Sequence, residues 1–154
     1  MKKIIMTILA FISVLSVCAC NDEVPIETQT EICAYVKEVK DNKIILDVAE
    51  YVDSYDEERV EELKLTKADM PNGYYINNPE TELKEFILTE TTTFSFIDWN
   101  NDFVENGEDR EFYTTKREDF IKYLNTYENS EPKMPFFINI SGDKVLSILE
   151  KPMM

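Results

Sequence analysis

Residues 31–50 hold two apolar runs, and the polar pair Asp41-Asn42 stands between them. Asp and Asn tolerate left-handed turn geometry, so the pattern predicts a β-hairpin folded at this pair. On its second limb Ile44, Leu46 and Val48 share one face, and Ile45, Asp47 and Ala49 share the other. Apolar groups on both faces predict a strand covered on both sides. Ser54-Tyr55-Asp56-Glu57 has capping-box spacing and predicts a helix ending near Lys64, with Val60 and Leu63 turned inward. A helix this short depends on tertiary packing. Pro71 and Gly73 then predict a turn into a short strand, Tyr74-Tyr75-Ile76-Asn77, closed by Pro79.

Residues 83–88 and 93–98 are rich in Phe, Ile and Thr and read as two strands. Residues 98–110 form an acidic, Asn-rich loop without periodicity that contains Asn106-Gly107. Thr115-Lys116-Arg117-Glu118 is a second capping box, opening a helix to about Tyr127. Along it Phe120, Leu124 and Tyr127 recur at i, i+4 and i+7, flanked by Ile121 and Tyr123. Pro132 and Pro135 interrupt the chain before a strand at 136–140, and Ser141-Gly142-Asp143 turns it into a last strand at 145–150. The predicted order is ββαβββαββ. Short links between consecutive strands argue for an α+β fold, a mainly antiparallel sheet with two short helices on one side. A partly open, OB-like barrel with a helix plugging one end has the same order of elements. The pattern leaves closure open.

The first residues obey neither period. Lys2 and Lys3 precede a continuous apolar run at 4–17, shorter than the roughly 20 residues a membrane-spanning helix needs, which reads as a secretory signal peptide. It ends in Leu15-Ser16-Val17-Cys18-Ala19-Cys20. This resembles the lipobox of bacterial lipoproteins, with Val17 at −3 and Ala19 at −1 relative to Cys20. Cys18 fits less well, because β-branched Val17 would then occupy the −1 site. The resemblance implies cleavage before Cys20, a diacylglycerol thioether on that cysteine, further acylation, and a chain held at the outer face of the cell membrane. Two acyl chains anchor stably where one is marginal. The expected organisation is a lipoprotein signal peptide at 1–19, a lipidated tether at 20–30, and one extracytoplasmic domain at 31–154. The polar tether spans roughly 35 Å if extended at about 3.5 Å per residue.

Charge narrows the partners. The chain has 31 acidic and 16 basic residues, a formal charge of −15. Nucleic acid and anionic headgroups are repelled, which leaves cations, basic peptides or basic protein surfaces. The composition holds no histidine, which removes Ser-His-Asp and Cys-His catalysis and nearly every ordinary zinc site. The three glycines, Gly73, Gly107 and Gly142, lie too far apart for a phosphate-binding loop. With Cys18 lost and Cys20 lipidated, Cys33 stands alone in an apolar run and reads as a small buried hydrophobe.

One stretch has a familiar look. Asp56-x-Glu58-Arg59 followed by Asp69-Met70-Pro71-Asn72-Gly73-Tyr74-Tyr75-Ile76-Asn77-Asn78-Pro79 is similar to a pattern in uncharacterised secreted and lipid-anchored proteins of Gram-positive bacteria. Those proteins also carry an early hairpin like Val36-Lys37-Glu38-Val39 and a terminal one like that spanning Gly142 to Glu150. The resemblance implies a shared fold and a cell-surface location, and no activity.

Three chemistries are then open. Tyr74 and Tyr75, with Asn77, suggest an aromatic ligand-binding platform with an amide donor, although neighbouring strand residues face opposite ways. Asp98-x-Asn100-x-Asp102, with Glu105, offers hard oxygen ligands at the spacing that opens an EF-hand loop. Phe103 replaces the glycine of its sixth position and Asp109 takes its twelfth, which leaves a weak calcium site or a solvated loop. Apart from calcium no cofactor is expected. Paired carboxylates could serve a glycosidase, but among 31 acidic residues chance pairs abound. The expected role is a non-catalytic binding or accessory module of the cell envelope, taking an envelope protein or a small ligand. The alternative is a carboxylate-dependent cell-wall hydrolase.

Overall fold

The computed structural model describes residues 28–105, 109–128 and 134–151. The signal segment, Cys20, most of the tether, Asn106-Gly107 and Pro132 lie outside the described residues. The elements run β1 (Gln29–Lys40), β2 (Lys43–Asp53), α1 (Glu57–Glu62), β3 (Tyr74–Asn77), β4 (Leu83–Ile97), β5 (Glu111–Thr114), α2 (Arg117–Thr126), β6 (Phe136–Ser141) and β7 (Lys144–Leu149).

Five strands close a ring. β1 pairs with β2, β2 with β4, β4 with β7, β7 with β6, and β6 with β1. All these pairings are antiparallel except β4 with β7, which is parallel. Counting only ring strands in chain order, the circuit runs first, second, third, fifth, fourth, first, the Greek-key path of a partly open OB-like barrel. β3 extends the sheet beside the far end of β2, and β5 does the same beside the end of β4. The α+β reading and its OB-like variant thus describe one object.

Two tight hairpins carry the ring. Asp41-Asn42 joins β1 to β2 with Asp41 at φ 54°, and Gly142-Asp143 joins β6 to β7 with Gly142 at φ 59°. Both first positions sit in the left-handed region, where Gly and Asp are tolerated best. Inside the ring, Ala34, Ile44, Leu46, Phe94, Phe96, Ile138, Val145 and Ile148 form the core. Residues facing the other way are covered too. Cys33, Ala49 and Phe137 are paired neighbours on the outer face and all are buried, so β2 is covered on both sides.

The predicted order survives, but two of its letters stand for different segments. The stretches at 83–88 and 93–98 are one long strand, kinked where its pairing with β7 shifts between Leu88 and Thr93. Buried Thr92 fills the kink, accepting from the Thr89 N–H at 2.8 Å and donating to the Val145 carbonyl at 2.7 Å. The fifth strand is instead β5, four residues long and directly after the acidic loop. Helix starts also shift. Asp56, not Ser54, caps α1 by accepting from the Arg59 N–H at 3.1 Å, because the preceding residues are used in a turn where Tyr55 N–H donates to Asp53. Lys64 at φ 55° stops that helix, which buries no residue fully. At α2 the capping residue is Lys116 without a side-chain bond. Thr114 acts one step earlier, accepting from the Lys116 N–H and donating to Asp119. Phe120 is buried from α2 as its period predicts, but Tyr123, not Leu124 or Tyr127, is its second fully buried side chain.

Candidate functional site

β1 is flanked on both sides only through Ala34, where β6 begins at Phe136. Beyond that point the ring is open, and α2 lies across the opening with Phe120 and Tyr123 in the core. Phe120 stacks on Phe94 at 4.8 Å and Tyr123 on Phe96 at 4.1 Å, which seats the helix firmly. Between β1 and α2 remains a groove of about 750 Å³, within the roughly 300–1,000 Å³ typical of ligand sites. Tyr35 and Val36 of β1, Ile121 and Leu124 of α2, Trp99 and Phe136 are among its walls.

The floor is a carboxylate. Glu150 follows β7 directly, and its N–H donates to the Ser95 carbonyl at 2.9 Å, which carries the side chain under β4. There it accepts from the Ile97 N–H at 2.8 Å, the Trp99 indole N–H at 3.1 Å and the Tyr123 hydroxyl at 2.6 Å. Burial, then the bond to Glu150, raises the Tyr123 phenol far above its ordinary value, so it stays a donor. Trp99 is consequently unusual: 47 % exposed, yet pinned through its N–H to a buried anion. An aromatic ring held in place and open to solvent has already lost the freedom that binding would cost it.

Beside this floor, the acidic loop has an organiser. Asp98 is fully buried and accepts from the N–H groups of Asp102, Phe103 and Val104, each at 2.8 Å, and from the Tyr127 hydroxyl at 3.1 Å. Burial alone would raise the Asp98 carboxyl, but the three N–H donors and Tyr127 outweigh it and hold its pKa below the ordinary value. The single Tyr127 hydroxyl proton is shared between Asp98 and Asp102, whose oxygens both lie 3.1 Å away, and the hydroxyl oxygen accepts from the Asn100 N–H. Burial foremost, reinforced by both carboxylates against that N–H, pushes Tyr127 up to about 12.

Asp98, Asn100 and Asp102 thus do come together, but around a tyrosine hydroxyl. Asp98 turns both oxygens to donors, which leaves the calcium reading without its lead ligand. Among the described residues no group of three or more His, Cys, Asp or Glu side chains is placed to hold a metal ion. Tyr74 is separated from Tyr75 and Asn77, which share the opposite face of β3. Tyr74 stacks on Tyr51 at 5.6 Å on the outer face, whereas Tyr75, opposite buried Val52, points the other way. Asn77 donates to Glu50 at 2.8 Å, the carboxylate that grips Arg59 at 2.6 and 2.8 Å. Burial pushes the Cys33 thiol up to about 11, so it stays protonated and is a poor nucleophile. The carboxylates whose pKa is displaced, Asp47, Glu50, Asp69 and Asp98, are all displaced downward, the wrong direction for a general acid.

The groove itself escaped the sequence reading. Its two signals were the chain's single tryptophan at the end of an apolar strand and a Glu closing the last one. Comparisons with protein families, curated proteins and solved structures found no match, so function must be argued from this geometry.

Proposed function

We propose that the chain is an extracytoplasmic lipoprotein, anchored to the cell membrane through lipid on Cys20, whose domain is a non-catalytic binding module of the cell envelope. The anchor rests on the lipobox at residues 17–20. The binding role rests on one observation, the groove between β1 and α2 with Trp99 pinned at its edge. Its buried acid, Glu150, spends its oxygens on three donors and has no second buried acid beside it among the described residues of the groove wall, which weakens the hydrolase alternative.

Labelling with palmitate should mark the wild-type chain and not Cys20→Ala. A photo-crosslinking side chain at Asn125, on the groove wall, should capture one dominant species on intact cells. Adding Trp99→Ala should abolish that adduct while leaving the chain folded and anchored. Unlabelled wild type would overturn the anchor; an adduct indifferent to Trp99 would overturn the groove as the binding site.

A further inference from the structure

Among the described residues, β1 is an open edge where it borders the groove. Residues 29–34 lie between β2 and β6, whereas residues 35–40 pair with β2 alone among the described residues. Their unpaired side carries main-chain donors and acceptors, and Tyr35, Val36, Lys37, Glu38 and Val39 all line the groove. Such an edge can accept one more strand, with backbone hydrogen bonds giving affinity and alternate side chains giving selectivity. Five residues offer roughly 16 Å of edge at about 3.3 Å each. The bulge where the register shifts between Val36 and Glu38 keeps the edge short and twisted, which suits a peptide better than a second sheet.

The charges around the groove select the occupant. Lys37 is neutralised by Asp47 at 3.0 Å and Lys151 by Glu31 at 3.2 Å. Glu38 and Glu128 also line it and form no ion pair among the described residues. In a chain of net charge −15 this leaves negative potential without a partner beside unpaired backbone. A neutral glycan could stack on the aromatic rings and donate hydroxyls to the acids, but it brings neither a charge to compensate them nor a repeating backbone to pair along the edge.

We infer that the groove takes an extended, cationic peptide segment of a partner protein, added as a strand along residues 35–39 of β1. Its basic side chains face Glu38 and Glu128, and an apolar side chain lies against Trp99 and Leu124. The inference rests on the groove being the binding site.

Trp99 is the only tryptophan, so its emission reports on the groove without labelling. Full-length protein in detergent micelles is titrated with a short synthetic peptide alternating lysine and valine, with its glutamate–valine counterpart, and with an N-acetylglucosamine trimer. The lysine peptide should shift Trp99 emission and slow amide hydrogen exchange at residues 35–39. Its affinity should fall about tenfold in Glu38→Gln/Glu128→Gln, and by a similar factor in high salt. The glutamate peptide should not bind. A Trp99 response without protection of residues 35–39, or equal binding of the glutamate peptide, overturns strand addition by a cationic segment and leaves the groove reading standing. A response to the trimer alone replaces the peptide by a glycan. Silence from all three probes, with no groove adduct on cells, removes both readings.

Discussion

Two aromatic surfaces flank β1, built from similar side chains with opposite results. On the outer face, Tyr51 stacks on Tyr74 at 5.6 Å and meets the edge of Phe137 at 5.3 Å, and Lys151 lies over the Phe137 ring at 3.8 Å. These groups bury Cys33 and Ala49, so the face is a second, small core. At the α2 end, the aromatics beneath the groove are also well packed, but Trp99, bonded through its N–H to Glu150, is half-exposed and borders open space. Aromatic content does not distinguish a site from a core. A buried polar anchor that fixes a ring beside a vacancy does.

The most forceful way to break this contrast is to empty the outer core. Phe137→Ala should cost about 3–5 kcal/mol in urea-induced unfolding, the usual loss for a buried Phe. Trp99 emission in the folded variant should be unchanged, because Phe137 is absent from the groove wall. A shift in that emission would mean that the two surfaces are mechanically one.

Removing the anchor acts on the other side. Glu150→Ala leaves the Ile97 N–H, the Trp99 N–H and the Tyr123 hydroxyl without their acceptor. Losing the acceptor of the buried Tyr123 hydroxyl and of the Ile97 N–H makes a loss of about 3 kcal/mol the expected result. Trp99 emission should move toward that of a fully solvated indole. Unchanged emission would show that the ring is held by packing and that the carboxylate contributes only to stability.

The loop between these surfaces gives a smaller, pH-dependent effect. The Asp98 carboxyl has its pKa lowered in the fold from an ordinary 3.8. Its contribution is therefore complete above that unfolded value and is lost as pH falls through the lower folded one. Asp98→Asn should lose about 2 kcal/mol at neutral pH, since hydrogen bonds to a charged acceptor are the stronger kind. The gap to wild type should narrow steadily below pH 3.8. Parallel stability curves across that window would assign the loop's order to something other than the charge on Asp98.

How far the sequence reaches can be judged at these same residues. The hairpins at Asp41-Asn42 and Gly142-Asp143 are local, so turn chemistry between apolar runs suffices to place them. The two-sided burial of β2 was likewise legible, because apolar groups on both faces demand cover. The parallel closure of β4 on β7 was not, since nothing local records which distant edge a strand meets. Thr92 illustrates the cost: a β-forming Thr run looks like a break between strands until Val145 supplies the carbonyl that Thr92 bonds across the kink. The groove failed for the same reason. Trp99 follows β4, Glu150 follows β7 and Tyr123 lies on α2, and only ring closure brings them within hydrogen-bond distance. Asp98 drew notice in the sequence as the first of a set of calcium ligands, and composition could not tell whether its partners would be a cation or the chain's own N–H groups.

That ambiguity yields the smallest expected effect. A calcium ion needs carboxylate lone pairs that face the same empty volume. At Asp98 one oxygen accepts from Asp102 N–H and the Tyr127 hydroxyl, and the other accepts from Phe103 and Val104 N–H. Four donors surround the group with positive partial charge, an environment built to hold an anion and to repel a cation. Binding there would have to unmake those bonds before gaining its own. Calcium at about 5 mM, enough to populate a millimolar extracellular site, should leave the melting temperature where it was. A rise would mean that the loop rearranges to release the Asp98 oxygens, and Tyr127, freed from Asp98 and Asp102, would then show a lower phenol pKa. Following its ultraviolet titration with and without calcium separates such a rearrangement from cation uptake elsewhere on this acidic surface.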